Sequence, residues 1–194
     1  MSTGSGGDGR PRRNWRSLLG IAALFTAVGV LLTIGGAAGL AATNTESFCI
    51  SCHKNDAYAE FKDTVHDTNR TGVRATCADC HVPHEFGPKM LRKIEASKEV
   101  WGHLTGVIDT KQKYDAHRSV MAQNEWRRML KNDSATCRHC HVVEKMNADS
   151  QSETARERHA KAKAEGLTCI ECHTGLAHTE PDGPGPKELK AAAK

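Results

Sequence analysis

The sequence predicts a mainly α-helical fold with much irregular structure: a single N-terminal transmembrane helix carrying a head built from a doubled unit. Three observations lead there. An uncharged run of 26 residues, "SLLGIAALFTAVGVLLTIGGAAGLAA", stands near the N-terminus. All eight cysteines fall into four pairs of one pattern, CxxCH, with none left over. The rest of the chain is polar, and only 5% of the 194 residues are aromatic, so the head carries little core material of its own.

The uncharged run, Ser17 to Ala42, comes first. At about 1.5 Å per helical residue, a hydrocarbon core of roughly 30 Å needs about 20 residues, so this run spans it with some tilt to spare. Arg10, Arg12, Arg13 and Arg16 precede it, and the positive-inside rule puts that flank in the cytoplasm and everything after Thr43 on the outer face. The small residues of "GLAA" would suit a signal peptidase, which would release a soluble shuttle. A cleaved signal, however, has an apolar core of only about 7–15 residues, and the length here favours a retained anchor. Gly35 and Gly39 form a GxxxG of the kind that brings two membrane helices together, which keeps a homodimer in view. The domain organisation is therefore a cytoplasmic segment 1–16, an anchor 17–42, a head 43–180 and a flexible tail 181–194 broken by Pro and Gly.

The motifs are Cys49/Cys52/His53, Cys77/Cys80/His81, Cys137/Cys140/His141 and Cys169/Cys172/His173. CxxCH is the attachment signature of c-type haem, whose vinyl groups take the two sulfurs while the adjacent histidine reaches the iron. A ribbon-type zinc site, a disulfide framework or a thiol redox pair needs no histidine after every second cysteine. Four covalent haems follow, and such large apolar bodies supply interior that the head lacks. The net charge of +4 is spread along the chain, which gives no reason to expect nucleic-acid binding.

Beyond the anchor the chain reads as two dihaem units. The first runs CxxCH at 49, His66, CxxCH at 77, His84; the second runs CxxCH at 137, His159, CxxCH at 169, His178. Such self-similarity suggests a duplication. Between them, residues 85 to 136 read as helical. Met90, Leu91, Ile94, Trp101, Leu104 and Ile108 recur on one face, Pro88 suits a helix start, and a second amphipathic run covers Tyr114 to Lys131. Packing against haem edges is the simplest use of both faces.

Four of the eleven histidines are the proximal ligands His53, His81, His141 and His173. Electron-transfer haem takes a second strong axial ligand that leaves no open position for a substrate. The doubled unit nominates His66, His84, His159 and His178, with His103, His117 and His139 left over. Pseudo-symmetry pairs His66 with the third haem, His178 with the second, His84 with the fourth and His159 with the first.

The stretches "FCISCH", "GVRATCADCHVPHEFGPKM", "DSATCRHCH" and "TCIECHTGLAH", behind an N-terminal anchor, closely resemble the NapC/NirT family of membrane-anchored tetrahaem quinol dehydrogenases. The resemblance runs from Trp15 to His178. It implies a single-pass protein of the bacterial cytoplasmic (inner) membrane with its haems in the periplasm. Such a protein oxidises quinol and passes electrons to a periplasmic reductase, which in the nitrate-reductase branch is the periplasmic nitrate reductase complex. A nitrite, N-oxide or S-oxide reductase is the alternative acceptor. The family is similar in using histidines at His66, His84, His159 and His178. Many relatives carry a methionine two residues after the first motif's histidine. Here Lys54, Asn55 and Asp56 follow His53, so that ligand is absent.

Lys93 and Glu99, on the helix after the second motif, resemble the family's basic and acidic quinol-site pair. A carboxylate can take a hydroxyl proton and a lysine can hold the oxygen. Lys89, Arg92, Glu95 and Lys98 compete on the same helix, and a solvated charged face is the plainer use of all of them. The first motif begins only a few residues beyond the anchor, which puts its haem nearest the lipid.

Overall fold

The computed structural model describes residues 14–53 and 56–193. Arg10, Arg12 and Arg13, expected to mark the cytoplasmic flank, and Lys54 and Asn55 after the first motif lie outside the described residues. The chain divides into two compact units, one up to Thr43 and one from Asn44 onward.

The first unit is a single helix, α1 (Trp15–Ala42), 28 residues long, none of them buried. It begins two residues before the expected anchor and ends with it. It is long and apolar enough to cross a membrane. Its end is closed by Thr43, whose backbone N donates to Gly39 O at 3.0 Å and whose Oγ1 donates to the same oxygen at 2.9 Å.

The second unit is helical, with no strand among the described residues. Two short helices, α2 (Glu46–His53) and α3 (Ala57–Phe61), precede α4 (Cys77–His81). Two longer ones follow, α5 (Phe86–Leu104) and α6 (Lys111–Lys131). After them come α7 (Ala135–Cys140), α8 (Glu153–Glu165) and α9 (Pro186–Ala192), with 3₁₀ turns at Val143–Lys145, Ala148–Ser150 and Cys169–Glu171. The two helices expected between the dihaem units are thus α5 and α6. Thr110 caps α6 by accepting from Lys113 N, and Ser152 caps α8 by accepting from Ala155 N, as short hydroxyl side chains do at helix starts. Gly166 ends α8 at φ 62°, the left-handed conformation that glycine adopts without strain.

Among the described residues the buried apolar side chains are Phe61, Met129 and Leu189, with the rings of Pro83 and Pro186. That is far less interior than a head of this length normally builds from side chains alone. The main helix contacts join α2 to α3 and α4, α4 to α7, and α6 to α9.

The tail departs from expectation. Residues 181–194 read as flexible, yet Pro186 and Leu189 of α9 are buried and the helix packs on α6. Lys190 Nζ reaches Glu171 Oε2 at 2.7 Å, and that carboxylate is almost wholly enclosed. Pro and Gly break the chain up to Gly185, but Pro at the first helical position then starts a helix. Pro186 and Leu189 are two of the few buried apolar side chains of the head.

Candidate functional site

The attachment motifs sit on short helices whose ends are set by local hydrogen bonds. Thr76 N and Oγ1 both donate to Asp79 Oδ2 at 2.7 Å, and Thr168 N donates to Glu171 Oε2 at 2.6 Å. These are capping boxes: a threonine before the first cysteine and an acid inside the motif close the helix start on itself. Burial pushes the carboxyl groups of Asp79 and Glu171 up. The bonds from Thr76, and from Lys190 and Thr168, more than offset it and hold both below the usual range. The pattern T-C-x-[D/E]-C-H is present in the second and fourth motifs only, in keeping with a duplication, and is legible in the sequence although the reading above did not use it.

Neighbouring motifs lie side by side in chain order. The thiols of Cys49 and Cys77 hydrogen-bond, which holds Cys49 down, to about 6, and pushes Cys77 up. Cys80 feels the charge of Cys137, and Cys137 that of Cys169, while burial raises both thiols. Ser134, wholly buried before α7, accepts from Ile170 N at 3.2 Å and so ties the third motif to the fourth.

Three histidines face a motif histidine at one common spacing. The ring centres are 6.2 Å apart for His66 and His141, 6.1 Å for His81 and His178, and 6.0 Å for His159 and His173. Two imidazoles that ligate one metal at about 2 Å each have ring centres roughly 6 Å apart, so these residues fit a six-coordinate haem iron. Burial, followed by the neighbouring motif histidine, holds His66 and His178 below their ordinary pKa. The neutral ring this favours is the metal-binding form.

Second partners fix the ring orientations. Glu125 Oε1 accepts from His81 Nδ1 at 3.2 Å, and Gln151 Oε1 lies 2.8 Å from His159 Nδ1. Such bonds leave the other ring nitrogen for a metal. Burial alone would raise the Glu125 carboxyl, but His81 and the paired Arg128 guanidinium hold it far below the usual range. The sequence reading named neither Glu125 nor Gln151. Glu125 is 44 positions from the histidine it serves, and no local spacing announces it.

The remaining nominations behave differently. His84, expected opposite the fourth motif, instead stacks on His139 with ring centres 3.5 Å apart. His159, expected opposite the first, faces the fourth. The pseudo-symmetric pairing fails there because α8 carries His159 to the motif that follows it in its own unit, whereas His66 crosses to the other unit. His84 Nε2 is buried without a hydrogen-bond partner. His84 also lines a cavity of about 220 Å³ with Asn44, Asp79 and Lys89. His53 faces Tyr114 at 6.2 Å, with Asp56 Oδ1 3.6 Å from its Nδ1. His103 stands near the end of α5, and His117 Nδ1 lies 2.8 Å from Lys113 O on α6.

On α5, Lys93 lies within electrostatic reach of Cys49. Burial is the main cause that lowers its pKa, Cys49 opposes it, and Arg92 and Lys89 add to it. Glu99 is exposed and pairs with Arg92 at 3.0 Å. Arg92, one position before Lys93, meets the carboxylate across two helical turns.

Comparison with known proteins shows the family. The family model for the N-terminal region of the NapC/NirT cytochrome c family matches residues 12–183. The chain is 53% identical to the cytochrome c-type protein NapC of Haemophilus influenzae over 90% of this chain and 88% of the relative. It is 54% identical to NapC of Escherichia coli K12, over 86% and 85%. It is 50% identical to the denitrification system component NirT of Stutzerimonas stutzeri, over 86% and 84%. No solved structure matches the chain. With haem-attachment motifs, histidines at ligating separation and a family match over most of its length, the chain belongs to the NapC/NirT family of c-type cytochromes.

Proposed function

We propose that the protein is anchored in the bacterial inner membrane by α1, oxidises membrane quinol at the periplasmic face, and delivers the electrons to a periplasmic reductase. The nitrate reductase complex is the foremost acceptor, given the NapC relatives, and four haem c groups are held by the four motifs. The observation that carries the reading is Lys93 within reach of Cys49, in a motif that begins seven residues beyond the end of α1. A lipid-soluble donor is met at that level, whereas a soluble substrate has no need of it.

When bound, haem c would supply a one-electron acceptor. The residues of the chain do the rest. Cys49 and Cys52 with His53, and their counterparts in the other three motifs, would attach the groups. His66, His178 and His159, which face His141, His81 and His173, would hold them as further ligands. Quinol gives up two electrons and two protons in becoming quinone. Lys93 donates a hydrogen bond to one quinol oxygen and fixes the ring. Glu99 accepts the two hydroxyl protons one after the other and, being exposed, passes each to periplasmic water. Arg92, 3.0 Å from that carboxylate, orients it.

Mass spectrometry of the holoprotein tests the cofactor count: four added haem masses are expected, and three after Cys137 and Cys140 are both replaced. Glu99→Gln and Lys93→Ala test the site. Haem content and dithionite reduction should be unchanged, while reduction by quinol analogues slows by about 100-fold, as for loss of a general base. Unchanged quinol rates would move the site elsewhere, with Glu95 or Asp56 the next carboxylates to test.

A further inference from the structure

Each motif histidine would ligate iron through one ring nitrogen, and what the other nitrogen meets differs among the four. At His81 it meets a charged carboxylate: Glu125 Oε1 accepts from His81 Nδ1 at 3.2 Å. At His53 the paired carboxylate, Asp56 Oδ1, is 3.6 Å from Nδ1, beyond hydrogen-bond reach. Among the described residues neither His141 nor His173 pairs with a carboxylate. His159, facing the fourth motif, takes the neutral amide of Gln151 instead. Glu125 is held in place for its contact. It stands on α6 one turn before Arg128, whose Nε donates to Glu125 Oε2 at 3.0 Å and whose Nη2 donates to Oε1. The same Nη2 reaches Cys80 O at 3.4 Å, so the guanidinium ties the carboxylate to α4, where the second motif closes. Met129, the next residue, is buried and fixes this stretch of α6. The side chains of Glu125 and Arg128 are only 18% and 17% exposed, so water screens their charges weakly.

We propose that Glu125 is a positioning residue that lowers the reduction potential of the haem held by the second motif, acting through its hydrogen bond to His81. The proposal deepens the electron-transfer reading and rests on its assignment of haem to Cys77, Cys80 and His81. A carboxylate that accepts from the outer ring nitrogen fixes the ring and makes it a more basic ligand. A more basic ligand favours ferric over ferrous iron, and hydrogen bonding beyond the ligand is one of the ways a protein sets haem potential. The negative charge acts in the same direction, because reduction adds one electron to the iron and no proton moves in the step. Arg128 tempers this charge without touching the ring: its bonds go to Glu125 and the Cys80 carbonyl. Gln151 gives His159 the same kind of orientation with no charge, so the fourth haem lacks this depression. The second motif lies between the first and the third, and a low potential there keeps an electron in transit from settling on it.

The test is a redox titration of full-length holoprotein in detergent with dithionite and ferricyanide, followed by haem absorbance. Glu125→Gln keeps an acceptor oxygen and the side-chain shape but removes the charge. One of the four midpoint potentials should rise enough to shift that haem's ferrous-to-ferric ratio about tenfold at a fixed potential, which is about 59 mV for one electron. The ferric EPR signal of one low-spin haem should change with it. Arg128→Gln, which strips the carboxylate of its counter-charge, should move one potential the opposite way. In protein that also lacks Cys77 and Cys80, neither substitution should move the remaining three. Four unmoved potentials in Glu125→Gln would overturn the proposal, because a purely structural contact survives that exchange. Shifts of the same sign in both variants, as when water enters a disturbed site, would overturn it too, as would equal shifts at several haems. No quinol enters the measurement, and mass spectrometry separates the wider reading. Fewer than four haems in the parent protein would sink that reading, whereas four haems with unmoved potentials would sink this proposal alone.

Discussion

The imidazole of His159 lies 6.0 Å from that of His173, and Gln151 Oε1 lies 2.8 Å from its Nδ1. The helix that bears His159 therefore serves the motif immediately after it. Replacing His159 by Met should alter the spectrum of one low-spin haem. In a variant that also lacks Cys169 and Cys172, and so carries three haems, the same substitution should change nothing further. A second haem perturbed in that background would return His159 to the first motif. Gln151→Leu should give a weaker version of the same signal, because ring orientation is lost and the ligand is kept.

Exclusion leaves His84 for the first motif, since the other three motif histidines already face His66, His178 and His159. The ferrous parent protein should then bind no carbon monoxide, and His84→Ala should bind one equivalent. Adding Cys49→Ala and Cys52→Ala should abolish that binding. Carbon monoxide binding by the parent would mean an open first haem, on the side where Tyr114 faces His53.

A bidentate pair locks the loop that carries His178. Arg118 donates to both oxygens of Glu60 at 2.5 Å and to Thr179 O at 2.6 Å, while Thr179 N donates to Glu60 Oε2 at 3.0 Å. Burial pushes the Glu60 carboxyl up, but Arg118 and Thr179 outweigh it and the pKa falls below 4.5. A depressed carboxylate pKa stabilises the fold above the ordinary value and loses that contribution as pH falls through the folded value. Glu60→Gln should cost about 1–2 kcal/mol near neutral pH, a midpoint drop of roughly 2–8 °C by calorimetry. The gap between parent and variant should begin to close below pH 4.5 and vanish once pH has fallen past the lowered folded value. A gap that persists in acid would show that packing, not charge, carries the effect.

Leu189 and Lys190 make the C-terminal segment structural. Leu189→Ala should cost about 2–3 kcal/mol, as for a large-to-small change at a buried site, and should show in thermal unfolding with haem content unchanged. A neutral result would mean that α9 is docked too loosely to matter.

The anchor, the four attachment motifs and the helical stretches α5 and α6 were legible in the sequence, because each rests on local spacing. An uncharged run of sufficient length, a CxxCH and a 3.6-residue period need no knowledge of what lies across the fold. The doubled unit nominated four histidines to face the motifs. The structure places three of them opposite a motif histidine, whereas their pairing was half misread. His66 and His178 meet the motifs expected, while His84 and His159 do not, since pairing depends on which helices cross between the units.

Glu125 beside His81, Arg118 across Glu60 and Lys190 against Glu171 were likewise invisible, as their partners stand 19 to 58 positions away. The sequence by itself determined what the chain can bind and how it can be anchored, because covalent attachment and membrane insertion are read from contiguous residues. Only the tertiary structure decided that His66, His178 and His159 face His141, His81 and His173, and that Arg92 meets Glu99. Those outcomes depend on how separate segments meet in space, and no local pattern encodes that.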